Sequence, residues 1–411
     1  MGIQSDPRFA LQDIPGKGRG LVASQAFERG DVILHEKPLF IAPKEYRDLS
    51  GRHDSKEAMA FREAYLTKLV AALAPSEREA VWDLQDIWSE RQGTPKRLSG
   101  IVHTNSLSGS EDLGIFAVGS YFNHSCLPTV NYFWCEGERG GEGPSELFTA
   151  ARDIKVGEEL TIYYNDMKQP RARRRHLLQA SFNCVCRCEV CSLEGDLQTE
   201  SDAKRCRMTE IKGELDALWT EGQFNPRCLH RTLPLALELI RLTVDEFQSD
   251  PWHMESAFAE GFEAAYACGK GELARKMAYN QLAAKMHTEG HSAKVPHGNG
   301  HSLQALKAIC MDPRKHNLRH SFSLNVRPKD LQPVLASVRE GGFACLSEEI
   351  GMPVWPSSHT PVSEKESERD RRERVRRETE AKKAETAAKN RRRRKNKKNK
   401  KKNAKKTKGR K

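Results

Sequence analysis

The ten residues "FNCVCRCEVC", Phe182 to Cys191, place four cysteines within eight positions. So many sulfurs in one short loop point to a metal: zinc takes four soft or borderline ligands in a tetrahedron, with Zn–S about 2.3 Å. A C-x-C-x-x-C run can supply three sulfurs from one turn and leaves the fourth corner to another segment. Cys186, Cys188 and Cys191 have that spacing. Cys184 repeats the C-x-C step, so spacing alone leaves the Cys184 and Cys186 registers both open. Free surface thiols are the competing reading, and their density here favours a metal site.

The chain has 411 residues, 37% hydrophobic and 30% charged, enough for two or three domains with real cores. Its 11 cysteines are odd in number and none precedes Cys126, which reads as reduced intracellular thiols rather than a secreted disulfide framework. No apolar run reaches membrane-spanning length, and the N-terminus has no signal-peptide core. Gly2 raises myristoylation, but Asp6 stands where Ser or Thr is wanted. The net charge is +12, yet residues 389–411 hold sixteen Lys and Arg and no acid, so +12 less sixteen leaves −4 for everything before them. The basic character therefore belongs to a tail, and overall charge is no argument for nucleic-acid binding by the folded part.

Short strands and turns are expected over the first forty residues, with β-branched Val22, Val32 and Ile33 around an "ERGD" turn. Helical periodicity begins near Asp54, with Tyr65, Leu69 and Leu73 one turn apart, and Pro75 ends that run. Ser76 with Glu79 reads as a capping box for the next helix. Strands resume near Gly114 and continue through "GEELTIYY", after which "DMKQPRARRRHLLQA" reads as a helix capped by Asp166. Beyond Glu194 the pattern is mostly helical. Leu235, Leu239 and Leu242 share one face, and a helical hairpin is broken at Gly269–Gly271. Small residues opposite large ones suggest tetratricopeptide-like packing, without a clean repeat. From about Ser357 the chain turns polar; Glu364–Glu385 reads as a solvated helix, and the basic run should be disordered alone.

The other three marks of this chain are "GKGRG" near the start, "NHSC" at Asn123–Cys126, and "GEELTIYY". In that order, with the cysteine run last, they closely resemble the SET-domain protein lysine methyltransferases, particularly the SET- and MYND-domain group and its fungal relatives. The resemblance covers roughly Ile14 to Leu193. It implies an α+β SET-domain fold of short β-sheets over residues 1–193, with a helical insertion at about 46–99 and a post-SET zinc loop. A mostly helical, tetratricopeptide-like domain over 194–356 and a charged, disordered basic tail over 357–411 would follow. The MYND zinc finger should interrupt the SET domain after its first strands, and the lack of early cysteines sets this chain apart from that part of the pattern.

Roles follow position by position from the resemblance. Cys126 of "NHSC" becomes the fourth ligand of a structural zinc held by Cys186, Cys188 and Cys191. Lys17, Gly18, Arg19, Asn105, Asn123 and His124 match cofactor contacts for S-adenosylmethionine. Tyr164 matches the tyrosine at the methyl-transfer channel, and Tyr163 should point to the opposite face of the strand. The family has a second aromatic, usually Tyr, four residues before its first post-SET cysteine. Counting back from Cys186 reaches Phe182, whereas counting back from Cys184 reaches Ala180, so Cys184 becomes the spare. Phe182 departs from the frequent Tyr, and the lost hydroxyl should alter how many methyl groups are added.

The implied reaction is methyl transfer to lysine side chains of a protein substrate, histone or non-histone, by a monomer without membrane attachment. The tail would direct a nuclear, even nucleolar, location beside a cytoplasmic pool, and would attract nucleic acid non-specifically and in a salt-sensitive way. The rival reading is a catalytically silent SET-fold scaffold whose tail grips nucleic acid. His287, His291, His297 and His301 lie in a Gly/Pro-containing loop and are weaker metal candidates. Cys135, Cys206, Cys228, Cys268, Cys310 and Cys345 are isolated and read as ordinary thiols.

Overall fold

In the computed structural model, residues 6–288 are described apart from 44–45, 47–54, 109–111, 136–142, 224 and 249. The expected helix at Glu364–Glu385, the basic tail, Cys310, Cys345, His291, His297 and His301 therefore lie outside the described residues.

The chain opens with a hairpin of β1 (Phe9–Ile14) and β2 (Gly18–Ala23), in which Ile14 faces Gly18. Its turn needs left-handed backbone at Gly16 (φ 75°) and Gly18 (φ 74°), which glycine adopts without steric cost. The strands β3 (Val32–Glu36) and β4 (Phe40–Pro43) follow. Next come the helices α1 (Lys56–Ala71), α2 (Pro75–Asp83), α3 (Ile87–Gln92) and α4 (Leu98–Asn105). The remaining strands are β5 (Leu107–Ser108), β6 (Asp112–Ile115), β7 (Asn123–His124), β8 (Val130–Cys135), β9 (Ser145–Ala150) and β10 (Glu159–Ile162). They make three small sheets, ordered β1-β2-β10-β7, β3-β9-β8 and β4-β6-β5. Leu21, Ile33, Leu113, Ile115, Phe148 and Leu160 bury against one another at their centre. The mixed α+β architecture agrees with the expectation.

Helix α5 (Arg171–Phe182) leads into the cysteine loop, and α6 (Gly195–Gly222), α7 (Thr232–Phe247), α8 (Pro251–Ala267) and α9 (Gly271–Thr288) pack in chain order. Their core, with Ile211, Leu215, Ile240, Phe258 and Met277, is continuous with Cys126, Leu178 and Cys191. Two bonds tie these helices to the β3-β9-β8 sheet: Asn131 Nδ2 donates to Asp250 Oδ1 at 3.0 Å, and Thr149 Oγ1 donates to the Thr288 carbonyl at 2.7 Å.

Several local expectations are corrected. Pro75 does not merely end a helix; it is the first residue of α2, whose cap is Ala74. Glu77, not Glu79, accepts the Ala74 amide, at 2.9 Å. The helices that follow β4 run on past residue 99, because α4 continues to Asn105. Asp166 does not cap α5: it accepts from the Lys168 amide in a preceding turn at 2.9 Å. Pro170 precedes the helix, and the Arg171 amide is taken at 2.6 Å by Asp202 of α6. In α7 the fully buried stripe is Ala236, Leu239, Ile240, Thr243, Val244 and Phe247, with Leu235 and Leu242 half-buried at its margin.

Candidate active site

Strand β10 carries the geometry. It pairs antiparallel with β2, Leu160 opposite Leu21, and parallel with β7, Thr161 beside Asn123 and Ile162 beside His124. The Ser125 amide donates to the Ile162 carbonyl at 3.0 Å, so "NHSC" and "YY" leave the sheet together.

At the hairpin, Lys17 Nζ lies 2.5 Å from Glu159 Oε2, both side chains about a quarter exposed (27% and 21%). Asn123 Nδ2 donates to the other Glu159 oxygen at 3.1 Å and to the Arg19 carbonyl at 3.2 Å. Arg19 reaches the insertion instead. Its guanidinium holds the Asp83 carboxylate at 2.7 Å and lies 4.9 Å from the Tyr121 ring centre, while Tyr121 Oη donates to the same carboxylate at 2.6 Å. These hydrogen bonds, Tyr121's first, hold the Asp83 carboxyl below its ordinary range. Gly18 forms the turn, but the glycine with a steric duty is Gly20: a Cβ there would sit 2.4 Å from Asn123 Nδ2.

The Tyr164 amide donates to His124 Nδ1 at 3.1 Å, which leaves the ring proton on Nε2, 3.4 Å from Cys126 Sγ. Burial lowers His124 to about 4, so the ring is neutral near pH 7. Tyr164 Oη donates to the Phe122 carbonyl at 2.7 Å, and burial pushes its phenol up, keeping it protonated. Its ring centre is 5.3 Å from that of His124 and 4.8 Å from that of Phe182. Tyr164 and Phe182 border a cavity of about 30 Å³ also lined by Asn105 and Phe122. Asn105 turns its amide group back into the insertion, donating to the Gln85 and Ile101 carbonyls at 2.7 and 2.8 Å. Tyr163 packs the other way, its ring 5.1 Å from Tyr132 and 6.2 Å from Trp252.

The Sγ atoms of Cys126, Cys186, Cys188 and Cys191 all lie within 4.8 Å of one another, with Cys126 at 3.5 Å from Cys191 and 4.0 Å from Cys186. A zinc tetrahedron with bonds of about 2.3 Å has sulfur–sulfur edges of roughly 3.8 Å, so this cluster fits such an ion closely. All four are free thiols in the structure, and Cys184 stands outside the group. The fully buried Arg174 donates from Nε to Cys126 Sγ at 3.3 Å and from Nη2 toward Cys191 Sγ at 3.9 Å. A cation there offsets the excess charge that four thiolates would place on a divalent metal. His287, the one described member of the histidine group, lies 3.3 Å from the Arg29 carbonyl through Nδ1 and joins no metal-type cluster among the described residues.

Sequence reading did not find Gly20, Glu159, Asp83, Arg174 or Asp202. Glu159 and Gly20 sit inside quoted motifs, so their positions were visible but their partners were not. Asp83, Arg174 and Asp202 act across 64, 48 and 31 residues of chain, respectively, and carry no local signal.

Comparison with known proteins places this geometry in a family context. Residues 18–165 match the SET domain family model. Histone-lysine N-methyltransferase set5 of Schizosaccharomyces pombe is 30% identical over 187 residues, 45% of this chain and 51% of that protein. A SET and MYND domain-containing protein of Dictyostelium discoideum is 34% identical over 30% of this chain and 22% of its own length. Histone-lysine N-methyltransferase SMYD3 of Homo sapiens is 39% identical over 21% of this chain and 19% of its own. The chain thus carries a SET domain, and the matches span about half of the first relative and about a fifth of the other two.

Proposed function

We propose that this chain is an S-adenosylmethionine-dependent protein-lysine N-methyltransferase, acting on histone or non-histone lysines, with Tyr164 and Phe182 at the transfer site. The observation that carries this reading is the Tyr164 hydroxyl, held on the Phe122 carbonyl at 2.7 Å and bordered by Phe182 in the small cavity of the SET region.

Lys17, Gly18, Arg19, Asn105, Asn123 and His124 are the residues that would hold the cofactor. Its amino-acid end is a zwitterion, and Lys17 with Glu159 presents one charge of each sign at the hairpin, a donor set that fits it. When bound, the cofactor supplies a sulfonium methyl group for in-line transfer to an amine. The amine must be neutral, and an ordinary lysine has a pKa of about 10.4. The aromatic walls from Phe122, Tyr164 and Phe182 disfavour the ammonium form by excluding water. Because Tyr164 spends its proton on the Phe122 carbonyl, its oxygen keeps lone pairs that can accept from the amine or from the polarised methyl group. Positioning and desolvation then supply most of the rate.

The four-cysteine cluster would hold zinc in a structural role, fixing the end of α5 that carries Phe182. We read α6–α9 as the start of a tetratricopeptide-like domain that helps form the substrate groove, and residues 389–411 as a nuclear-targeting tail with weak attraction for nucleic acid. The test is S-adenosylmethionine binding by calorimetry with the full chain, followed by radiolabelled methyl transfer to a protein mixture and mapping of the labelled lysine. Nucleic-acid binding without cofactor binding would instead favour a silent scaffold.

A further inference from the structure

A second cavity, of about 180 Å³, opens beside the first and shares Tyr163 and Tyr164 with it. Its walls are the segment that follows β10, through Asn165, Asp166 and Lys168, and the start of α8, with Trp252 and His253. Apart from Tyr163 and Tyr164, its lining residues lie outside the motifs quoted above, and the reaction chemistry above gives those other residues no role.

The charges around it are unevenly committed. Asp166 accepts from the Lys168 amide at 2.9 Å and from Gln169 Nε2 at 3.0 Å. Asp250, which caps α8, accepts from His253 Nδ1 at 2.6 Å and from Asn131 Nδ2 at 3.0 Å. Glu260 and Lys212 are paired with each other at 2.5 Å. The Lys168 ammonium, by contrast, makes no hydrogen bond or ion pair among the described residues, although the side chain is half-buried and burial lowers its pKa. Asn165 Oδ1 is likewise buried without a donor, its amide nitrogen being spent on the Arg174 carbonyl at 3.2 Å. A half-buried cation beside the aromatic side chains of Tyr163 and Trp252 suits a carboxylate on a short apolar stem.

We propose that this cavity is a subsite for an acidic side chain, Asp or Glu, flanking the target lysine of the substrate, with Lys168 as the residue that reads its charge. The inference rests on the methyltransferase reading for the identity of the peptide, and on the cavity alone for the charge preference.

The experiment is affinity selection of a lysine-centred peptide library, randomised at the flanking positions, on the immobilised full chain, with selected peptides identified by mass spectrometry. The wild type should enrich Asp or Glu at one fixed offset from the lysine by about fivefold, near the upper end for a partly exposed ion pair. Lys168→Ala should erase that enrichment, and Lys168→Glu should replace it with Lys or Arg at the same offset. No acidic enrichment, enrichment of basic residues by the wild type, or enrichment that survives both substitutions overturns the subsite. Methyl transfer to the selected peptides is scored separately: acid-selective binding without transfer sinks the methyltransferase reading and leaves the subsite standing, whereas transfer without acid preference does the reverse.

Discussion

Gly20 and Asn123 approach so closely that a single added methyl at Gly20 would lie 2.4 Å from Asn123 Nδ2 and 2.8 Å from Ile14 Cγ1. The contact is between neighbours of β10 on its two sides, so it locks the glycine hairpin to the "NHSC" segment. Gly20→Ala should therefore destabilise the fold by about 1–3 kcal/mol, the usual cost of overpacking, and weaken S-adenosylmethionine binding as the hairpin shifts. Thermal unfolding and calorimetry together check this, and wild-type values in both would remove the lock.

Removing the Tyr164 hydroxyl leaves the ring contacts to His124 and Phe182 in place but frees the Phe122 carbonyl. Tyr164→Phe should lower kcat by about a hundredfold, the order expected when an oriented polar group at the reacting centre is lost, with cofactor affinity unchanged. Single-turnover methyl transfer separates the two, and undiminished turnover would take Tyr164 out of the chemistry.

At the proposed transfer site Phe182 carries no hydroxyl that could bind a lysine nitrogen. Phe182→Tyr should shift products from higher methylation states toward monomethyl-lysine at similar total turnover. Intact-mass analysis of the product reads this directly; a wild type that yields only monomethyl-lysine would contradict it.

Zinc should be found at one equivalent per chain by elemental analysis, and Cys188→Ser or strong chelation should remove most of it. Because the cluster adjoins the core under α6 and α7, metal loss and a fall in Tm should occur together. The equivalent change at Cys184, outside the cluster, should alter neither.

Glu146 of β9 is fully buried, and both its carboxylate oxygens lack a hydrogen-bond partner among the described residues. Burial raises its pKa well above the ordinary 4.5. Above pH 4.5 the unfolded chain sheds this proton before the native state does, so native protein holds more protons and stability falls as pH rises toward the folded pKa. Glu146→Gln should be more stable than wild type near neutral pH, and the difference should shrink as pH falls toward 4.5. Urea unfolding midpoints between pH 5 and 8 test the slope; parallel curves would count against it.

Much of the site was legible because its parts are local words in a fixed order. The C-x-C-x-x-C spacing and the count back to Phe182 named a cluster and an aromatic that the structure sets near His124 and Tyr164. Helix ends were less legible. Ser76 and Glu79 fit a capping pattern, yet Pro75 at the first helical position moves the true cap to Ala74 and Glu77. In α7 Leu239 was read correctly, but Leu235 and Leu242 sit one residue off the buried stripe, because leucine is so common there that hydrophobicity alone cannot tell a buried face from its margin. Contacts such as Arg19 with Asp83, or Gly20 with Asn123, depend on which strands and helices become neighbours, and that is a property of the whole chain.

The Arg171 amide that opens α5 is satisfied by Asp202, its guanidinium reaches the Leu193 carbonyl, and Arg205 of α6 donates to the Met167 carbonyl. The helix that presents Phe182 is thus held at its start by residues that come after the cysteine loop. The smallest transplantable piece of this protein is accordingly longer than its recognisable motif: a fragment cut behind Leu193 would keep every motif residue and lose the partners that aim one of them. Where the family signature stops, the machine does not.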